Sequence, residues 1–192
     1  RGVNGMRQRE EDFVSEMLIC PTHDNILFIS DRGIMFKLKC FELAEGSKAS
    51  RGTNIVNLLP LSQDEKIAAM IHCEDFGVDK YVIMITKNGK IKRTHLSKYQ
   101  NVRKSGLIAI GLDPGDEIRG VLLTDGSEEL IAATRNGRAI RFSETQLRPL
   151  ARSAHGVRAI ALRQDDEVVS LQAIKEGATV LTVSERGYGR RV

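Results

Sequence analysis

The segment T-R-N-G-R-A-I-R-F, residues 134–142, places an Asn-Gly pair between two short apolar stretches. Asn-Gly is typical of tight β-hairpins, because both residues tolerate the positive φ angles of a type I′ turn. The sequence therefore predicts a hairpin that turns at Asn136-Gly137. Arg135, Arg138 and Arg141 lie on this hairpin without any acidic residue, so its charge needs an explanation of its own.

The same hairpin pattern recurs along the 192 residues. Its turn glycines are Gly33, Gly89, Gly137 and Gly187, which are 56, 48 and 50 residues apart. The first three hairpins are each followed by a polar segment, a third apolar run opened by glycine, a short acidic turn and a fourth apolar run. Four strands in a repeat of about 50 residues are the plan of a propeller-like array. We therefore expect an all-β fold with four-stranded blades.

These repeats divide the chain into approximate units of one domain, residues 1–192. We expect partial units at 1–24 and 179–192 and complete units at 25–74, 79–124 and 129–174. Residues 11–20 match residues 64–73 at a constant offset and are expected to form a fourth strand. Because the chain starts without methionine and stops inside a charged hairpin, we expect a piece of a longer protein with a partial disc of blades.

Composition and motifs argue against several classes of function. The 29 basic and 25 acidic residues give a net charge of only +4, so bulk charge says little about partners. Three cysteines without C-x-x-C spacing and four scattered histidines predict neither a disulfide framework nor a metal site. No apolar run approaches a membrane span, and no signal peptide, P-loop or nucleophile–base pair is visible. We expect no catalytic residue, no cofactor and no membrane partner.

The basic residues are sorted by structural element. The fourth position after each turn glycine is basic, and residues 87–104 and 148–163 contain no acid. Such cations could simply protect exposed strands against edge pairing. Their recurrence at one register favours regularly spaced phosphates of duplex DNA, and the scarcity of aromatic residues argues against base stacking. The acids gather in the turn before the fourth strand, and this sorting is easier to understand if blades exchange strands.

The candidate DNA-binding residues follow from this pattern. They are Arg32, Lys37, Lys39, Arg51, Lys87, Lys90, Lys92, Arg93, Arg103, Lys104, Arg135, Arg138, Arg141, Arg152, Arg158, Arg186, Arg190 and Arg191. We expect charge reversal at Arg93 and Arg141 to weaken DNA binding and to leave the fold intact, because outward strand charges add little to stability.

Several stretches together resemble the C-terminal domains of bacterial DNA gyrase A subunits. They are E-E-D-F-V at 10–14, G-T-N-I-V-N-L-L-P-L at 52–61, L-I-A-A-T-R-N-G-R-A-I-R-F at 130–142, S-A-H-G-V-R-A-I-A-L at 153–162 and G-Y-G-R-R at 187–191. The resemblance covers essentially the whole chain. It implies a β-pinwheel, a propeller-like disc whose blades exchange strands. In this family DNA wraps around the basic rim, and the wrap directs strand passage toward negative supercoiling.

The resemblance also implies the partners of the chain. These are double-stranded DNA, the rest of the gyrase A subunit, and the gyrase B subunit, which is reached through it, in the bacterial cytoplasm at the nucleoid. The family's enzyme is an ATP-dependent type II topoisomerase whose DNA-breaking tyrosine, ATP site and Mg²⁺ site lie elsewhere, so this chain is not expected to be an enzyme in isolation. The family's disc usually has six blades and a glycine-rich basic motif before E-E-D-F-V. Only Arg1-Gly2 could be a remnant of that motif.

Other families remain as alternatives. The corresponding domain of topoisomerase IV shares the blades but generally lacks the glycine-rich motif. A protein-interaction propeller of the WD type predicts G-H and W-D signatures, and the chain contains no Trp. A propeller hydrolase would need a central cluster of acids or histidines, which the sequence does not show.

Overall fold

The computed structural model describes residues 13–47, 50 and 52–192. The prediction of an all-β fold is confirmed, with four short 3₁₀ helices at Cys40–Glu42, Ile55–Asn57, Leu96–Tyr99 and Glu144–Gln146. The strands are β1 (Asn25–Ser30), β2 (Ile34–Lys39), β3 (Ile67–Cys73), β4 (Tyr81–Thr86), β5 (Lys90–His95), β6 (Leu107–Ile108), β7 (Ile118–Thr124), β8 (Glu129–Thr134), β9 (Ala139–Ser143), β10 (Val157–Arg158), β11 (Val168–Ile174), β12 (Leu181–Val183) and β13 (Gly189–Arg191).

The strands form three blades and a separate hairpin. Blade 1 has the order β3-β1-β2-β6, blade 2 the order β7-β4-β5-β10 and blade 3 the order β11-β8-β9, while β12 pairs with β13. All pairings are antiparallel. The inner strands β3, β7 and β11 contact one another from blade to blade, so β6 and β10 lie at the opposite, outer edge.

Each outer strand comes from the following sequence unit. β6 comes after β5 in the chain but pairs with β2 of blade 1, and β10 comes after β9 but pairs with β5 of blade 2. The residue after each exchanged strand is tied to a hairpin turn, because Ala109 N donates to Gly33 O and Ala159 N donates to Gly89 O, both at 2.8 Å. Strand exchange between blades, which the family resemblance implied, is therefore present in blades 1 and 2.

The exchanged segments explain why two of the turn residues are glycine. Gly33 and Gly89 have φ angles of +74° and +79°, which L side chains rarely adopt. A Cβ atom at Gly33 would lie 2.8 Å from Cγ2 of Ile110, and one at Gly89 would lie 2.9 Å from the carbonyl oxygen of Ile160. Glycine is required both by the backbone conformation and by the close approach of the exchanged segment.

The turn at residues 134–137 differs from the predicted type I′ turn. Gly137 N donates to Thr134 O at 3.0 Å, and Gly137 has a φ of +78°, whereas Asn136 is not among the residues with positive φ. This is a three-residue loop of the type I plus glycine-bulge kind. In this loop the N–H groups of Arg135 and Asn136 donate to Glu167 O at 2.8 Å and to Asp166 Oδ1 at 3.0 Å.

Two further expectations about strands are wrong. In the strand predicted at 11–20, residues 13–20 form no strand and residues 11–12 lie outside the described residues. The run opened by Gly52 forms a short 3₁₀ helix instead of a third strand. Fourth strands pair with the first strand of their own unit, and third strands pair with the preceding blade. In the described part of the chain neither partner exists for these two segments.

The core lies between the blades. Val82 and Met84 of β4 face blade 1, where they pack in one cluster with Leu27 and Ile29 of β1. The alternate residues Ile83 and Ile85 face blade 3 and pack with Leu130 and Ala132 of β8. Because β4 is covered on both faces, it is a continuous apolar run rather than an alternating one. A third cluster, around Phe28 and Phe36, covers the other face of blade 1.

Candidate nucleic-acid interface

The exchange of strands brings acid-free segments to the outer edge of the blades. Residues 98–112 carry β6 and residues 148–163 carry β10, and we call them the outer-edge segments. Most of their cations are exposed: Lys98, Arg103, Lys104, Arg148, Arg158 and Arg163. Arg152 is half-buried and donates from Nη1 to Ile108 O at 3.0 Å. The sequence prediction omitted Lys98, Arg148 and Arg163, although the absence of acids from their surroundings could have indicated them.

The recurrent basic position after the turn glycine does not form a row of free cations. Lys37 lies over the ring of Phe76, 5.2 Å from its centroid, and donates to Gln100 O at 3.0 Å. Arg93 is buried against blade 3. In both blades this position points at the neighbouring blade. Packing between blades therefore explains the recurrence at these two sites.

Arg93 belongs to a buried ion pair. Its guanidinium lies 3.8 Å from the ring centroid of Tyr81 and donates from Nη1 to Glu144 O at 3.2 Å, while Nε is 3.6 Å from Glu144 Oε2. Glu144 is fully buried, and its carboxylate also accepts from Thr124 Oγ1 at 2.7 Å and Glu128 N at 2.8 Å. Arg93 is therefore removed from the candidate interface, and Glu144, which the sequence did not indicate, is its structural partner.

Lys92 is also buried, although it was predicted to bind DNA. Its ammonium donates to the carbonyl oxygens of Ala109 and Arg152, one from each outer-edge segment. Burial, together with the nearby charge of Arg152, lowers the pKa of Lys92 to about 7. Lys92 cannot reach a phosphate from this position, so it too is removed from the candidate interface.

The sorting of charge along the sequence does not keep acids and bases apart in space at the hairpin turns. Lys87 lies 3.1 Å from Glu117 of its own blade and 3.5 Å from Glu167 of the next, and the hydrogen bond to Glu117 raises the pKa of Lys87. Asp116 and Glu117 form the acidic turn before β7. This turn also binds the hairpin backbone, because Asp116 Oδ1 accepts from Asn88 N at 3.0 Å. Acids lie beside bases here because the acidic turn holds the hairpin turn of the same blade.

The remaining predicted residues lie in varied surroundings. Exposed Arg32 donates to Gln63 O at 2.6 Å, and Lys39 donates to His23 O at 2.9 Å. Other pairs are Lys90 with Asp113 at 2.5 Å, Arg135 with Glu185 at 3.6 Å, Arg138 with Ala161 O at 3.1 Å and Arg141 with Glu129 at 3.1 Å. Arg186, Arg190 and Arg191 are exposed on the last hairpin. Arg51, Arg1 and Gly2 lie outside the described residues.

Comparison with known proteins places this geometry in a family. The family model of the DNA gyrase C-terminal domain, a β-propeller, matches residues 24–74, 80–125 and 128–175. This chain belongs to the DNA gyrase C-terminal domain family. The predicted family is thereby confirmed. The outer-edge segments are then the outer edges of a gyrase C-terminal propeller.

The relatives of this gyrase C-terminal domain are much longer proteins. The DNA gyrase A subunit of Salmonella typhimurium is 41% identical over 191 residues, and that of Staphylococcus aureus is 42% identical over 194 residues. Each alignment covers 100% of this chain and 22% of the relative. The chain therefore spans about a fifth of the length of these relatives.

Two solved structures share the fold. The crystal structure of the C-terminal domain of DNA topoisomerase IV has a TM-score of 0.87 at 30% identity and covers 97% of this chain and 58% of that one. The structure of a DNA gyrase A C-terminal domain matches with a TM-score of 0.75 at 28% identity. That alignment covers 90% of this chain and 55% of the gyrase structure. No helix in the described part of this gyrase domain is long and apolar enough to cross a membrane.

Proposed function

We propose that this gyrase C-terminal domain binds duplex DNA along the outer edges of its blades and bends it there. The observation that carries the proposal is the placement of the acid-free outer-edge segments, with exposed Arg103, Lys104 and Arg158, at the edges of successive blades. Tyr99, an aromatic residue of these segments, is buried and donates to Ala109 O at 3.0 Å. It is not available to stack on a base, which supports contacts to phosphates with little sequence preference.

In the complete protein, such bending would wrap the DNA with one handedness before strand passage. This wrap would direct strand passage toward negative supercoiling. The partners in this proposal are duplex DNA, the rest of the gyrase A subunit, and the gyrase B subunit, which is reached through it, in the bacterial cytoplasm at the nucleoid. Breakage of DNA and the use of ATP and Mg²⁺ are assigned to other parts of the enzyme. No catalytic residue and no cofactor are assigned to this domain.

The test is a salt titration of duplex binding by fluorescence anisotropy. Each phosphate contact contributes a slope of about −0.9 to log K against log salt. The double variant Arg103→Gln, Lys104→Gln should weaken binding and reduce the slope by about 1.8 if both residues contact phosphate. The matched control is Lys66→Gln, Lys175→Gln, which removes two exposed charges next to the inner strands β3 and β11 and should leave the slope unchanged.

Binding that does not weaken as salt is added, or that depends strongly on one DNA sequence, would contradict the proposal. Equal losses in the outer-edge variant and in the control would mean that only net charge matters.

A second candidate is the corresponding domain of topoisomerase IV, favoured by the TM-score of 0.87 to that structure. Both candidates bind DNA, so affinity does not separate them. Wrapping stores writhe in a closed circle, whereas binding alone does not. A shift in linking number after relaxation of a DNA circle bound to the full-length protein would support the gyrase function, and no shift would support the second candidate.

A further inference from the structure

Two cations lie directly opposite each other at the outer edge of blade 2. Lys90 of β5 is the pairing partner of Arg158 of β10. Like charges in directly opposed strand positions are destabilising, because both side chains lie on the same face of the sheet. In blade 1 the corresponding pair is Ile34 with Ile108, which are both apolar. The fold therefore does not require charge at this position, and its presence in blade 2 needs another reason.

A carboxylate compensates part of this charge. Asp113 accepts from Lys90 Nζ at 2.5 Å through Oδ2, and its Oδ1 is 3.1 Å from Nδ1 of His155. The hydrogen bond from Lys90 is the main cause that keeps the pKa of Asp113 below its ordinary value, so this group is an anion at neutral pH. The three side chains are 34% (Lys90), 43% (Asp113) and 56% (His155) exposed, so solvent reaches the whole arrangement.

Beside this pair lies an open cleft of about 430 Å³. Asn88, Lys90 and Arg158 contribute its polar lining, and Ile160, Ala161 and Leu162 form the rest. Of the cations that line it, Lys90 is bound to Asp113, while Arg158 is exposed. Lys90 and Arg158 both line this cleft. An ammonium beside a guanidinium is a favourable site for a phosphate group, because guanidinium can donate two parallel hydrogen bonds.

We propose that this cleft, the Lys90–Arg158 cleft, binds one backbone phosphate of duplex DNA, which displaces Asp113 from Lys90. The inference rests on the proposed function. It adds the position of one bound phosphate and identifies the Asp113 carboxylate as the group that competes with this phosphate for Lys90. An ion pair between exposed groups is weak because water screens it. A phosphate that contacts both Lys90 and Arg158 can therefore replace a carboxylate that contacts Lys90 alone. Asp113 then lowers the affinity of this blade for DNA.

The test compares two single-charge variants. Asp113→Asn removes the competing carboxylate. Asp79→Asn removes an exposed carboxylate that also contacts a histidine, His95 at 3.2 Å, but forms no salt bridge with a lysine among the described residues. Both variants change the net charge by one. We expect Asp113→Asn to tighten binding of a duplex at low salt by at least about threefold relative to Asp79→Asn. The double variant Asp113→Asn, Lys90→Met should lose that gain, because the freed ammonium is then absent.

A second variant keeps the test independent of Asp113. Arg158 is exposed, and Arg158→Gln should weaken duplex binding. In a chain that already carries Arg158→Gln, Asp113→Asn should increase the DNA affinity by less than it does alone. Equal affinities of Asp113→Asn and Asp79→Asn, with salt-dependent binding intact in the unmodified chain, would overturn the phosphate assignment alone. Loss of salt-dependent DNA binding in the unmodified chain would instead overturn the proposed function. Urea unfolding of each variant confirms that the comparison is made on folded protein.

Discussion

Arg93 and Arg141 occupy the same position of two successive repeats but lie in different surroundings. Arg93 is buried between Tyr81 and Glu144, while the side chain of Arg141 is 64% exposed and contacts Glu129 at 3.1 Å. A buried ion pair is costly to break from one side, because the remaining charge is left without a partner in a medium of low polarity. An exposed pair contributes little, since water solvates both groups after separation.

The first prediction compares Arg93→Met with Arg141→Met. Removing one partner of a buried pair typically costs about 3–5 kcal/mol of the free energy of unfolding, whereas a surface substitution stays within about 0.5 kcal/mol. Urea denaturation followed by circular dichroism measures both values, and Arg141→Met serves as the matched control. This reverses the expectation that charge changes at Arg93 leave the fold intact. Similar costs for the two variants would show that Arg93 does not stabilise the junction between blades 2 and 3.

The second prediction concerns Lys92, whose pKa is lowered from 10.5 to about 7. Between these values the unfolded chain binds more protons than the folded chain, so the free energy of unfolding rises with pH. Below pH 7 the full cost of the buried charge is present, and it disappears as pH approaches 10.5. A single group gives a slope of at most about 1.4 kcal/mol per pH unit.

The measurement compares the unmodified chain with Lys92→Met between pH 7 and 8.5. Cys73 and Tyr99, whose pKa values burial raises to about 11 and about 12, are present in both proteins, so their contributions cancel in the difference. The difference in unfolding free energy between the two proteins should change with pH in favour of the unmodified chain. A difference that stays constant over this window would mean that Lys92 titrates at its ordinary pKa.

At the scale of the elements, the exchanged strands depend on the hairpin turns that receive them. β10 is followed by Ala159, whose N–H donates to Gly89 O, and by Ile160, which packs on that glycine. Gly137 has the same backbone conformation, with a φ of +78°, but among the described residues no atom lies within 4 Å of its missing Cβ. The two glycines therefore share a backbone conformation and differ in the contact with an exchanged segment.

The third prediction uses this pair of glycines. Alanine at either site should cost about 1 kcal/mol for the positive φ. Gly89→Ala should cost clearly more than Gly137→Ala, because its Cβ would lie 2.9 Å from Ile160 O and displace the segment that follows β10. Denaturant unfolding gives the cost, and faster amide hydrogen exchange at Ala159 would locate it. Equal losses of unfolding free energy in the two variants, with unchanged amide hydrogen exchange at Ala159, would indicate that the segment after β10 moves to accommodate the added Cβ at no cost in stability.

Much of the element level could be predicted, since hairpins such as 81–95 combine apolar runs with a glycine turn. The length of the third strands could not be predicted, because only two residues of each exchanged run, such as Leu107–Ile108, pair with the edge of the preceding blade.

The candidate site was predicted in part. Exposed Arg103 and Arg158 follow from charge and spacing. The burial of Lys92 and Arg93 does not, because it is decided by which blade lies opposite them.

At the scale of the molecule, the blades and their cations form an arc. β6 and β10 give blades 1 and 2 an outer strand, and the outer-edge segments supply their exposed cations. In the described residues β9 has β8 as its only strand partner, and the last hairpin pairs only with itself. Among the residues that the structure describes, these sheets do not close into a ring. Under the proposed function, DNA that follows this arc would meet the basic outer-edge segments at blades 1 and 2 in succession.

The last prediction follows from this arc and from the energy of bending. Smooth bending of a site of 20–30 base pairs by 40–90° costs on the order of 1–6 kcal/mol, which contacts along the bend must offset. The 192-residue chain should bend short duplexes, seen as increased energy transfer between dyes at their ends, but should store little writhe. Closed circles relaxed in its presence should show a smaller shift in linking number than circles relaxed with a longer gyrase A C-terminal domain. One such domain has a solved structure, and this chain covers 55% of it. The variant Arg103→Gln, Lys104→Gln should reduce the bend, while Lys66→Gln, Lys175→Gln should not. A linking-number shift as large as that of the longer domain would show that an open arc of blades is sufficient for wrapping.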